Sequence, residues 1–190
     1  MTNRIDKAFA ACGREKRKAL VMFVTAGDPS LAFTEQLIPR IAEAGADIIE
    51  LGIPFSDPMA DGPVIQEASQ RALAAGTTLQ GILDMVDRLR RNGLETPLVL
   101  FSYYNIILQY GPERLARVSA EAGIDGWLVV DMPHEEDEEL LDVLDAARLH
   151  KVTLIAPTTP AERTRELLKK ASGFAYDITV KGSSGQRTSL

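Results

Sequence analysis

The sequence predicts an α/β fold, a (β/α)8 barrel of the TIM type, and three features of the chain lead to this prediction. Short, nearly continuous apolar runs alternate with segments whose apolar residues recur at helical spacing. Such runs are expected of parallel strands that are covered on both faces. Stretches rich in proline and glycine follow the apolar runs. The loops after the strands all lie at one end of such a barrel, where its active sites are found.

Six apolar runs are the predicted strands. In chain order they span residues 19–24, 48–51, 98–101, 127–130, 152–156 and 174–178. Two of the intervening segments show clear helical spacing, at Leu79, Ile82, Leu83, Val86 and Leu89, and at Leu140, Leu141, Val143, Leu144 and Ala147. The sequence Thr-Pro-Ala-Glu at 159–162 is a capping box that predicts a helix start.

A weak internal repeat supports recurring βα units. Glu-Ala-Gly-Ala-Asp at 43–47 and Glu-Ala-Gly-Ile-Asp at 121–125 each precede a predicted strand. In both copies we expect the glycine to end a helix in the left-handed conformation.

The number of strands is smaller than a closed barrel requires. A complete barrel of this type needs roughly 250 residues, and the 190 residues supply about six βα units. We therefore expect a single barrel domain over residues 1–190 that lacks its C-terminal units. An open sheet of this kind would leave the edges of its first and last strands unpaired.

Composition excludes several classes of function. The net charge of −6 and the short basic cluster at 14–18 argue against a nucleic-acid partner. No apolar run approaches the ~18 residues of a membrane span, and the N-terminus lacks the apolar core of a signal peptide. Cys12 is the one cysteine, so no intramolecular disulfide can form, and a cytoplasmic location is expected.

The loop after the second predicted strand carries the main evidence for function. Its sequence, Glu-Leu-Gly-Ile-Pro-Phe-Ser-Asp-Pro-Met-Ala-Asp-Gly-Pro at 50–63, holds three prolines, two glycines and three acids, so it cannot continue a strand or a helix. Glu50 and Asp61 would then stand on the loop-bearing rim, where enzymes of this fold class keep their chemistry. A single glutamate at a strand end is more often an ion-pair partner or a solvated residue, and Asp57 could be a simple turn residue.

Four segments together resemble the α subunit of tryptophan synthase. They are Phe-Val-Thr-Ala-Gly-Asp-Pro at 23–29, the 50–66 segment, Tyr-Tyr-Asn at 103–105 and Asp-Met-Pro at 131–133. The resemblance implies a lyase of tryptophan biosynthesis. Its reaction is the retro-aldol cleavage of indole-3-glycerol phosphate to indole and glyceraldehyde 3-phosphate. It also implies that no metal or organic cofactor is needed, and that the partner is a β subunit, which holds pyridoxal phosphate in a heterotetramer.

Residue roles follow from the same resemblance. Glu50 would be the general acid and base, and burial beside Ile49 and Leu51 would raise its pKa. Asp61 would accept the indole N–H, and Tyr176 would orient Asp61. The expected substrate-binding residues are Phe23, Phe101, Tyr103, Ser184 and Gly185, and the expected β-subunit contacts are Pro54, Asp57, Pro58 and Asn105.

Several alternatives stay open at this stage. The chain could be a noncatalytic α-like fragment that docks on a β subunit, or a stand-alone lyase that releases free indole. The glycine-rich phosphate loops that the family carries after its seventh and eighth strands are absent, and of the expected phosphate contacts Gly185 remains. Asp177 is predicted to face the helical layer, where an unpaired charge is costly. The acidic run at 134–139 is interpreted as a solvated helix start and not as a metal site.

Overall fold

Strands and helices alternate along the chain as the sequence predicts. The structure, a computed structural model, describes residues 3–132 and 138–178. Within these ranges the strands are β1 Val21–Thr25, β2 Ile48–Gly52, β3 Leu98–Ser102, β4 Gly126–Val129, β5 His150–Lys151, β6 Thr153–Ile155 and β7 Ala175–Asp177. The helices are α1 Arg4–Arg14, α2 Leu31–Glu43, α3 Pro63–Ala74, α4 Leu79–Arg91, α5 Tyr104–Tyr110, α6 Pro112–Ala122, α7 Glu138–Ala146 and α8 Ala161–Lys170.

The strands form two parallel groups that meet at residue 152. Strands β1 to β5 pair in chain order, and β6 pairs with β7. Val152 stands between β5 and β6, and its N–H donates to the carbonyl of Trp127 at 2.8 Å. Residues 150–155 therefore join the two groups as one extended segment, which is the fifth predicted strand begun two residues earlier than expected. The described residues form six successive strand positions of a barrel, as predicted.

Alternation along each strand separates an interior cluster from an outer layer. Inside the arc, Ile48, Val99, Leu128 and Val152 pack together with Ile5 of α1, which covers one end of the interior. Residues of the opposite parity pack against the helices, and these are Ile49, Leu51, Leu98, Leu100, Trp127 and Val129. Because Glu50 is two residues from Ile48 on β2, its side chain faces the interior as well.

The predicted repeat is confirmed, and its aspartates hold the strand starts. Gly45 and Gly123 follow α2 and α6 with φ values of 107° and 97°. The Asp47 carboxylate accepts the Leu20 N–H at 2.8 Å. The Asp125 carboxylate accepts the Leu98 N–H at 2.9 Å. Each aspartate thus fixes the neighbouring strand beside the one that it precedes.

Two expectations near the C-terminal end of the described chain were wrong. Helix α8 begins at Ala161 with Pro160 at its N-cap and no side-chain capping bond. The Thr159 hydroxyl instead accepts the Ala156 N–H at 3.2 Å and closes the preceding turn. The expected cost of an unpaired charge at Asp177 is not incurred, because its side chain is exposed on β7 and water solvates it. The first four residues of the acidic run, 134–137, lie outside the described residues.

Candidate active site

Glu50 is a buried carboxyl without a hydrogen-bond partner for one of its oxygens. The residue is 3% exposed, and its Oε1 finds no partner in the structure. Phe23 of β1 and Val99 of β3 stand beside it in register. Burial alone raises the pKa of Glu50 from 4.5 to about 7. The carboxyl can therefore hold or release a proton near neutral pH, as an acid–base catalyst must.

Asp61 lies at the end of the loop that follows β2, directly before Gly62, the N-cap of α3. Asp61 is 7% exposed. The Tyr103 hydroxyl donates to Asp61 Oδ2 at 3.1 Å, and the Gln66 side-chain amide donates to the Asp61 carbonyl at 2.8 Å. Burial raises the pKa of the Asp61 carboxyl, and the bond from Tyr103 opposes that rise. The carboxyl is thus fixed in orientation and partly desolvated.

Tyr103 makes the contact with Asp61 that the sequence assigned to Tyr176. Tyr103 follows β3 directly and is 4% exposed. The Ala60 N–H donates to its hydroxyl at 3.0 Å, while the hydroxyl donates to Asp61. Sequence reasoning placed Tyr103 in the substrate pocket and missed this bond. The available signal was its position at the end of β3, the strand next to β2.

Tyr176 reaches the same interior from β7, across the arc. It is 40% exposed. Burial raises the pKa of its phenol, and the charge of Glu50 contributes to the rise, so the two groups are within electrostatic reach. Its role in orienting Asp61 stays a prediction. Ser184 and Gly185, the expected substrate contacts near the C-terminus, lie outside the described residues.

Two aromatic rings form a wall beside Glu50. The rings of Phe23 and Phe101 meet edge to face, with centroids 5.1 Å apart and an interplanar angle of 75°. Gly52 makes room for this pair, because a Cβ there would lie 2.5 Å from the Cζ of Phe23. The structure thus brings both rings to the interior-facing side of β1 and β3, where the sequence placed the pocket.

Three of the four expected β-subunit contacts surround one cavity. Pro54, Asp57 and Asn105 line a space of about 590 Å³ between the loop after β2 and helix α5. Pro58 follows in the same loop without lining that cavity. The Ser56 hydroxyl donates to the Asp57 carboxylate. In the described residues, no group of three or more His, Cys, Asp or Glu side chains is placed to hold a metal ion.

Comparison with known proteins decides the family. Residues 9–190 match the family model described as tryptophan synthase alpha chain. The chain is 52% identical over 188 residues to the tryptophan synthase alpha chain of Geobacter sulfurreducens, covering 99% of this chain and 71% of that protein. The chain belongs to the tryptophan synthase alpha chain family.

Solved structures give the same result. The tryptophan synthase α subunit of Legionella pneumophila superposes with a TM-score of 0.90 at 42% identity, covering 94% of this chain and 68% of that one. A Mycobacterium tuberculosis tryptophan synthase chain gives a TM-score of 0.90 at 31% identity, covering 99% and 72%. The expected fold, an incomplete TIM barrel, is confirmed: this chain spans about 70% of the length of these relatives.

Membership in the tryptophan synthase alpha chain family also confirms the expected chemistry. Members of the family are carbon–carbon lyases of tryptophan biosynthesis that cleave indole-3-glycerol phosphate and need no cofactor. Pyridoxal phosphate belongs to the β subunit, with which the α subunit forms a complex of two α and two β chains. No helix of the described residues has the length and apolar character to cross a membrane.

Proposed function

We propose that Glu50 and Asp61 carry out the retro-aldol cleavage of indole-3-glycerol phosphate in this chain. The observation that carries the assignment is the environment of Glu50, a carboxyl that is 3% exposed, has one oxygen without a partner and has a pKa raised to about 7. A carboxyl built only for stability would be hydrogen-bonded at this depth. In the proposed function, the substrate supplies the hydrogen-bond partner that this oxygen of Glu50 lacks.

The chemistry needs a proton to move twice, and one group can move it both times. Neutral Glu50 donates a proton to C3 of the indole, and the resulting carboxylate removes the proton from the glycerol hydroxyl next to the breaking bond. The electrons of the O–H bond form the aldehyde of glyceraldehyde 3-phosphate, and those of the broken C–C bond restore the indole ring. A pKa of about 7 makes both forms of Glu50 accessible near neutral pH.

Asp61 and the aromatic residues complete the proposed site. Ionised Asp61 accepts the indole N–H and stabilises the positive charge that develops on the ring after protonation of C3. Phe23 and Phe101 contact the flat face and edge of the indole. We assign Tyr176 to the same pocket as an orienting group, on the basis of its electrostatic contact with Glu50. Ser184 and Gly185 are proposed substrate contacts from the family resemblance.

The β subunit is proposed to dock on the loop that follows β2. Pro54, Asp57, Pro58 and Asn105 are the proposed contacts, and the cavity of about 590 Å³ that three of them line supports this assignment. We further propose that residues 1–190 form one domain in the cytoplasm. The junction of the two sheet groups at Val152 supports a single domain. The presence of one cysteine, Cys12, which is buried and free, supports the cytoplasm.

The test is indole release from indole-3-glycerol phosphate by the 190-residue chain, with and without a β subunit. Glu50→Gln should lower turnover by a factor of 10² to 10⁴, because an amide cannot exchange the proton. Binding of an analogue that lacks the reacting hydroxyl should change by less than a few-fold. Glu43→Gln is the matched control, since Glu43 is exposed at the end of α2. Wild-type turnover in Glu50→Gln would contradict the assignment.

The same assay separates the alternatives. Turnover that rises on addition of the β subunit supports the enzyme that works as a subunit. Turnover that does not respond to the β subunit identifies a stand-alone lyase. A chain that binds the β subunit and releases no indole in any condition is the noncatalytic docking fragment.

A further inference from the structure

The hydroxyl of Tyr103 lies between the Ala60 N–H and the proposed catalytic Asp61. We propose that Tyr103 is a positioning residue that fixes the Asp61 carboxylate. The proposal rests on the proposed function of Asp61. It adds a second role for a residue that the sequence placed only in the substrate pocket.

Two hydrogen bonds fix the direction of the Tyr103 hydroxyl. It accepts the Ala60 N–H at 3.0 Å and donates to Asp61 Oδ2 at 3.1 Å. Because a hydroxyl carries one proton, acceptance from Ala60 directs that proton to Asp61. The bond engages Oδ2 and leaves Oδ1 for the indole N–H. The same bond holds the carboxylate plane, which a single-bonded side chain would otherwise be free to turn.

The ring of Tyr103 is held by a second aromatic ring from the loop after β2. The Phe55 ring packs on it, with centroids 5.1 Å apart and an interplanar angle of 34°. Phe55 also lines the cavity that Pro54, Asp57 and Asn105 surround. The ring and the hydroxyl of Tyr103 are therefore both held by the loop that ends at Asp61.

The electrostatic environment provides a signal that a purely structural role would not give. The bond from Tyr103 lowers the pKa of Asp61 against the rise caused by burial. Burial raises the pKa of Tyr103 to about 12, and Asp61 contributes to that rise. Asp131, after β4, is the other charged group acting on Tyr103 within the described residues. Loss of the hydroxyl must therefore raise the pKa of Asp61, and loss of the carboxylate must lower that of Tyr103.

The first experiment measures the Asp61 carboxyl directly. The whole chain is labelled with aspartate enriched in ¹³C at Cγ, and the Asp61 resonance is identified by its loss in Asp61→Asn. Tyr103→Phe keeps the ring and removes the donor, so the titration midpoint of Asp61 should move to higher pH. Tyr110→Phe is the matched control, because the Tyr110 hydroxyl donates to Gln80 at 2.8 Å and makes no contact with Asp61. An unchanged midpoint in Tyr103→Phe, or an equal shift in both variants, overturns the proposal.

The reciprocal measurement does not depend on the folding of Tyr103→Phe. The Tyr103 phenol is observed through ¹³C at Cζ at neutral pH in the wild type and in Asp61→Asn. The Cζ resonance should shift in Asp61→Asn, because the charged acceptor of the phenol proton is gone. An unchanged resonance overturns the proposal.

The catalytic consequence is measured in the indole-release assay. Tyr103→Phe should lower kcat three- to tenfold with little change in KM, and the acid limb of kcat/KM should move to higher pH, since Asp61 must be ionised to act. A uniform loss at every pH would mean that Tyr103 supports packing only, and it would overturn the proposal. The NMR measurements separate this result from failure of the proposed function, because they report on the bond from Tyr103 to Asp61 even when indole release does not depend on Glu50.

Discussion

Glu50 and Asp125 are carboxyls buried to the same extent, and they differ in what surrounds them. Each residue is 3% exposed. Asp125 accepts hydrogen bonds from Arg90 at 2.7 Å, from Arg4 at 3.2 Å and from the Leu98 N–H at 2.9 Å. Glu50 has one oxygen with no partner. Burial raises the pKa of both carboxyls, but at Asp125 the guanidinium of Arg90 limits the rise.

The difference distinguishes Asp125, a carboxyl that holds the fold together, from Glu50, a carboxyl with an oxygen open to a substrate. Arg90 also donates to the carbonyls of Gly123, Leu94 and Thr96, so its pair with Asp125 joins α4 to the starts of β3 and β4. Three donors from the protein itself hold both oxygens of this carboxylate. Glu50 lies on the interior side of β2, where no cation of the described residues pairs with it. Equal burial thus serves stability at Asp125, and at Glu50 it supports the proton transfer that we propose.

The largest expected effect is the loss of stability when the Asp125 carboxylate is removed. Asp125→Asn removes the charge and leaves the Arg90 guanidinium, 10% exposed, without its carboxylate. The free energy of unfolding should fall by about 3 to 5 kcal/mol. Urea unfolding followed by the fluorescence of Trp127, the one tryptophan, measures it. Asp87→Asn, in an exposed pair with Arg91, is the control and should change stability by less than about 0.5 kcal/mol. A loss below about 1 kcal/mol at Asp125 would show that the network is dispensable.

The second prediction concerns Glu50 and the dependence of the unfolding free energy on pH. The pKa of Glu50 is about 7 in the folded chain and 4.5 ordinarily, so the folded state holds its proton more tightly. That contribution to stability is full below pH 4.5 and is lost as the pH rises through about 7. The wild type should lose up to about 3 kcal/mol of unfolding free energy by pH 8, relative to Glu50→Gln. Urea titrations at four pH values test this, and parallel curves for the two proteins would contradict it.

The smallest effect compares the two copies of the repeat. Asp47 takes the place of Asp125 in the first copy, but its partner Arg17 is 44% exposed. The side-chain bond from Arg17 lowers the pKa of Asp47 to about 2. Its stabilisation is present above pH 4 and is lost as the pH falls through about 2. Because solvent screens the pair, Asp47→Asn should cost about 1 kcal/mol at pH 7 and progressively less as the pH falls from 4 toward 2. A cost equal to that of Asp125→Asn would remove the distinction between the copies.

The strands were predictable because each is an apolar run between turn-forming residues. The fifth strand began later in the prediction than in the structure, since His150 and Lys151 are polar and do not read as buried. They are nevertheless held in β5 by pairing with Gly126 and Trp127 of β4. Pairing across the sheet overrode the local pattern there.

The candidate site was predictable in its residues and not in its contacts. Glu50 and Asp61 follow from the loop motif, but whether Glu50 has a partner depends on side chains from other strands. The bond from Tyr103 to Asp61 spans 42 residues and depends on the path of the 53–60 loop. Arg90 was equally hidden: in the sequence it is one of three arginines in the last turn of α4, a pattern typical of an exposed helix end.

Helix α1 has a consequence for the order in which the molecule is assembled. Its N-cap residue Asn3 donates to the carbonyls of Asp125 and Arg148, Arg4 pairs with Asp125, and Asp6 contacts His150. These contacts lie 121 to 145 residues away along the chain. Helix α1 is synthesised before all of these partners, so it stays without the contacts to Asp125 until the start of β4 has been made and without those to Arg148 and His150 until the start of β5 has been made. The helix that covers one end of the interior therefore takes its place only after strands β1 to β3 have been synthesised.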